Sequence, residues 1–67
     1  MEKDWVLVFE TNKDIEAEMV RGMLEENDIS VFVINKKDSA YLFGNIELYV
    51  LPENLLVAKT YIKDFNL

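Results

Sequence analysis

An α+β fold of order β-α-β-β-α is predicted for this chain by three observations. Two short runs rich in β-branched and aromatic residues, Trp5 to Phe9 and Ile29 to Ile34, read as strands. A third run, Ile46 to Leu51, alternates apolar and polar side chains. Two other segments carry apolar residues at helical spacing, one before the second strand and one after Pro52.

The first strand is expected from Asp4 to Glu10. Its apolar residues, Trp5, Val6, Leu7, Val8 and Phe9, are bounded by charges and leave both faces apolar. Thr11 and Asn12 then offer helix-capping side chains, with Asp14, Glu16 and Glu18 near the positive end of the helix. That helix is expected over about Lys13 to Asn27. Ile15, Met19, Val20, Met23 and Leu24 share one arc, and Asp14, Glu18, Arg21 and Glu25 lie opposite. Two polar residues fall inside the apolar arc. Glu16 suits capping or a bond to a neighbouring loop, and Asn27 suits a left-handed helix exit. Gly22 sits mid-helix at a cost near 1 kcal/mol relative to Ala, which points to close packing against another backbone.

The second strand is expected from Ile29 to Asn35. Ile29, Val31 and Val33 take one face; Phe32 and Ile34 take the other. Residues 35–45 (NKKDSAYLFGN) form the least regular stretch. The third strand, Ile46 to Leu51, sets Ile46, Leu48 and Val50 against Glu47 and Tyr49. Pro52 suits the first position of the second helix. Leu55, Ala58, Ile62 and Phe65 form that helix's core stripe, flanked by Tyr61, while Leu56 falls on the polar side.

The first strand, helix and second strand prefer a right-handed crossover with the two strands parallel, which leaves room for the third between them. The third strand inserts between the first two, antiparallel to both. The result is a ferredoxin-like sandwich with sheet order 1-3-2, both helices on one face and no final strand. One sheet face and the edge of the first strand stay open. Trp5, Leu7, Phe9, Phe32, Ile34 and Tyr49 are the candidate interface residues, and open apolar faces and edges mark association sites. A homodimer is expected through that face or that edge. The alternative is a monomer whose tail (Phe65 to Leu67) or 35–45 loop folds over the sheet.

Composition excludes several function classes. The chain has 67 residues, 13 acids, no histidine and no cysteine. It reads as one domain, 1–67. Imidazole catalysis, thiolate chemistry, zinc thiolate sites and disulfides are absent by composition. Ser30 and Ser39 have no histidine to activate them, and no carboxylate spacing matches an EF-hand. The expectation is therefore a non-enzymatic binding module without cofactor or metal. Net charge is −6, and Lys36-Lys37 is the only basic pair. Nucleic acid and anionic membranes are disfavoured partners. The longest apolar run, Trp5 to Phe9, is far short of the roughly 20 residues that span a bilayer. With no signal-peptide pattern, a cytoplasmic location is expected.

The 35–45 stretch is the best candidate for ligand binding. It brings hydrogen-bonding side chains, Lys37, Asp38, Ser39 and Tyr41, next to the local positive charge of Lys36. A small anionic metabolite suits such a loop, although Asp38 and Ser39 also suit plain turn bonds.

Several short motifs resemble one family along nearly the whole chain. They are Trp5-Val6, Thr11-Asn12, Glu16-Ala17, Leu24-Glu25 with Ile29, the stretch NKKDSAYLFGNIELYV over 35–50, Pro52-Glu53, and Ala58. In these the chain resembles the prokaryotic signal-transducing protein family, a small domain of unknown function. The resemblance implies a bacterial regulatory domain related to PII-like and ACT-like ferredoxin folds. With the residues themselves, two alternatives for function follow: protein contact through the homodimer expected from the open sheet face, or sensing of a small anionic metabolite, as in ACT or PII domains, at the 35–45 loop or dimer seam. The family usually places Gly before the Ile of the second strand, where this chain has Asp28. The cysteines that some members carry in the middle loop are absent.

Overall fold

The computed structural model describes residues 4–36 and 44–65. Strand β1 spans Val6–Thr11, helix α1 Asp14–Glu26, β2 Phe32–Asn35 and β3 Ile46–Val50. A 3-10 turn at Pro52–Asn54 leads into helix α2, Leu55–Asp64. The sheet order is β1-β3-β2, and β3 runs antiparallel to both neighbours. Architecture and order are those the sequence predicts.

The core lies between the sheet and the two helices. Ile46, Leu48 and Val50 of β3 face it, and Val20, Leu24 and Ala58 seal it from the helix side. All six are at most 3% exposed. Burying a Leu or Val side chain stabilises by about 1.5–3 kcal/mol, so this cluster supplies most of the drive to fold. On α2, Leu55, Ile62 and Phe65 flank Ala58 as the predicted stripe, while Leu56 is 80% exposed.

Helix α1 departs from the predicted arc. Its buried line is Ala17, Val20 and Leu24, whereas Ile15 is 74% and Met19 43% exposed. The small side chain of Ala17 lets the helix settle on that line, which turns Ile15 and Met19 outward. Among the described residues Gly22 has no packing role: a Cβ added there meets nothing within 4 Å, and the expected close approach of another backbone does not occur.

The N-cap is Lys13, which makes no side-chain cap bond, so neither Thr11 nor Asn12 takes the expected capping position; Thr11, two residues before the cap, secures the helix start instead. Its Oγ1 accepts the Lys13 N–H at 3.1 Å and its hydroxyl donates to Glu16 Oε1 at 2.7 Å. Glu16 thus bonds the chain entering the helix, which accounts for a polar residue on that arc. The helix exit is a paired-bond turn. Ile29 N–H donates to the Leu24 carbonyl and Asp28 N–H to the Glu25 carbonyl. These are the two bonds of a Schellman motif, and the buried Ile29 against Leu24 supplies its hydrophobic contact. The left-handed residue is Asp28 (φ 63°), not Asn27. Asn27 instead donates its side-chain amide to the Met23 carbonyl at 2.8 Å.

Two further boundaries shift. The exit turn consumes Ile29, so β2 begins at Phe32. Pro52 begins the 3-10 turn, and α-helical geometry starts only at Leu55.

Candidate functional site

The sheet face turned away from the helices is the candidate site. Alternation along β3 places Glu47 and Tyr49 there, opposite the buried Leu48. Register extends the face sideways. Leu7 and Phe32 both pair with Tyr49, and Glu10 and Ile34 both pair with Glu47. Trp5 joins from just before β1, with its ring centroid 5.6 Å from Phe32. The Phe32 ring lies 6.4 Å from that of Tyr49. Both spacings suit tilted aromatic pairs. Leu7 remains 45% and Phe32 39% exposed, so this row is apolar and open to solvent.

Of the six side chains expected at an interface, five share this face. Phe9 does not. A bulge between Leu7 and Phe9 leaves Val8 as the extra residue, so Phe9 pairs with the buried Leu48. Phe9 therefore packs against the core, on the helix side. Strict alternation had put it beside Leu7.

One end of the face is polar. Glu47 is 8% exposed. It accepts the Tyr49 hydroxyl at 2.8 Å and lies 3.2 Å from Lys36 Nζ. The Tyr49 bond, then the Lys36 ammonium, hold its carboxyl below the ordinary value of 4.5. The same bond pushes the Tyr49 phenol above 10.0. Glu10, paired across the sheet with Glu47, adds a second carboxylate at this end. Among the described residues no buried side-chain nitrogen or oxygen lacks a partner.

Lys36 is therefore tied to Glu47. Its backbone N–H donates to the Asn45 carbonyl at 3.1 Å. Gly44 is required beside it: at φ 121° a Cβ would come within 3.1 Å of Lys36 Cβ. The other loop residues expected to bind a ligand, Lys37, Asp38, Ser39 and Tyr41, lie outside the described residues. The place of Glu47 was visible from its parity with Tyr49. That of Glu10 was not, because the bulge changes the parity of β1.

Among the described residues, no group of three or more acidic side chains is placed to hold a metal ion, and no helix is long and apolar enough to cross a membrane. The chain matches a family model described as "Putative prokaryotic signal transducing protein" over residues 5–65. No curated protein and no solved structure matches it.

Proposed function

Since the chain belongs to the family described as prokaryotic signal transducing proteins, we propose that it is a non-enzymatic regulatory module that pairs with a second copy through the open sheet face. The observation that carries this reading is the row of Trp5, Leu7, Phe32 and Tyr49, with Leu7 and Phe32 exposed and the other two half-buried, on a face that bears no helix among the described residues.

Area and charge support a second copy as the occupant. The domain is a slab, 34 × 32 Å across and 15 Å thick. Its broad face has room for the roughly 800 Å² per partner of a standard interface. A two-fold axis along β3 lays β1 of one copy over β2 of the other. It then sets Leu7 against Phe32, and Glu10 near Lys36, on both sides of the axis. Such a contact also gives a small domain a second apolar layer, which the described residues do not supply. Regulation then follows from contacts that the paired module makes or releases. The ion pair between Lys36 and Glu47 leaves that lysine less available to a free anion, which favours protein contact over metabolite sensing.

Sedimentation equilibrium tests the reading. The expected outcome is a dimer for the native chain and a folded monomer for Leu7→Glu. A native chain that stays monomeric at the highest soluble concentration sinks it.

A further inference from the structure

The helix side of β2 carries a second, separate surface. Both helices pack chiefly on β1 and β3. Val33 consequently stays 38% exposed although its register partner Leu48 is fully buried. A groove of about 240 Å³ runs between α1 and β2, floored by Ile46 and Leu48. Val33 lines the strand side, and Asp14, Glu18 and Arg21 line the helix side. That volume is below the roughly 300–1,000 Å³ of pockets that enclose small molecules. It suits a few short side chains of an extended chain.

The backbone beside the groove is oriented for strand pairing. Lys36 N–H bonds to Asn45, so these two form a hydrogen-bonded pair. Such pairs alternate along an antiparallel ladder. Ile34 and Phe32 therefore turn their polar backbone groups toward β3, and Val33 turns its N–H and C=O outward. Among the described residues β2 has β3 as its only strand neighbour.

Charge selects the occupant. The Arg21 guanidinium is shared by Glu18 at 2.8 Å and Glu25 at 2.7 Å, two carboxylates to one cation. Asp14 adds a further acid to the helix wall. Of the lysines that adjoin the groove in sequence, Lys36 reaches Glu47 on the opposite face and Lys13 lies 3.8 Å from Glu16. The whole chain carries −6. We infer that β2 and α1 together receive an extended segment of a partner protein as an added strand. That segment carries a β-branched residue for the groove and Lys or Arg on either side of it. The site is independent of the dimer face, which lies on the other side of the sheet.

A displayed library of short random peptides, selected on the immobilised full chain, tests this. The expected result is enrichment of alternating β-branched and basic sequences whose binding weakens as salt rises. Val33→Pro removes the outward N–H, a change tolerated on edge strands, and is expected to weaken binding at least about tenfold. Glu18→Lys is expected to do the same by reversing charge, and it decides the matter if Val33→Pro does not fold. Bound peptide should slow hydrogen exchange at the Val33 amide. Leu7→Glu should leave peptide binding unchanged, which separates this site from the dimer face. No enrichment, enrichment of acidic peptides, or equal binding to folded Val33→Pro and Glu18→Lys would overturn the inference.

Discussion

Gly22 and Asp28 each hold a residue type that the local backbone does not favour. Gly22 lies inside α1 with open space where a Cβ would go. Gly22→Ala is expected to raise stability by about 1 kcal/mol. Thermal unfolding reads this as a rise of about 4–8 °C for a domain of this size. Asp28 adopts φ 63°, a region that glycine reaches at no steric cost. It also sets a negative charge at the negative end of α1. Asp28→Gly is expected to stabilise by about 0.5–1 kcal/mol, measured by urea titration. The need for a helix exit near this point was legible in the sequence. That Asp28, and not Asn27, takes the left-handed angle was not, because both tolerate it.

The carboxylate of Glu47 sets a pH dependence at the same scale. Its folded value is lowered from 4.5, so the folded state binds its proton less tightly than the unfolded chain does. The associated stability is fully present above about pH 4.5 and is lost as pH falls through the folded value. Glu18, lowered by its bond to Arg21, acts in the same direction. Tyr49 acts oppositely: its contribution is present below pH 10.0 and is lost as pH rises through its raised value. Urea unfolding followed from pH 7 downward should show a shallower acid decline in Glu47→Gln than in the native chain. Equal slopes would mean that the Tyr49 and Lys36 contacts do not hold the carboxylate in solution.

At the scale of the element, β1 holds the least predictable feature. Its sequence is apolar at five successive positions, Trp5 to Phe9, so composition alone leaves its facing undetermined. The bulge at Val8 settles it by turning Leu7 outward and Phe9 inward. Deleting Val8 removes only the extra residue: Leu7 keeps Tyr49 and Phe9 keeps Leu48 as register partners, and each stays on its own face. The cost is the contact that Val8 itself makes with the core, at most about 1.5–3 kcal/mol. The deletion variant is therefore expected to keep a native circular dichroism spectrum with a lower urea midpoint. A deletion variant that does not fold would mean that the extra twist of the bulge is itself required.

For the molecule as a whole, the division between covered and open surface is the central fact. A sheet with helices on one side keeps its other apolar face available, and Leu7 and Phe32 are exposed there. Phe32→Glu is expected to behave as Leu7→Glu does, giving a monomer with native circular dichroism. Scattering measured during gel filtration checks this. A variant that unfolds would place Phe32 in the core of the monomer, against its 39% exposure.

The strand and helix order, the 1-3-2 sheet and the buried face of β3 were determined by the sequence. Each follows from local periodicity and from the short, right-handed connections open to a chain this small. The predicted core stripe of α2 was equally legible, because Leu55, Ala58, Ile62 and Phe65 recur at helical spacing. Facing along β1 and α1 was decided only in three dimensions. Both segments have more apolar residues than one face can hold, so the bulge and the seat of Ala17 chose which were buried. The polar end of the sheet face, where Glu10, Lys36 and Glu47 come from three strands or their ends, likewise exists only through register. No spacing along the chain encodes a contact that cross-strand pairing creates.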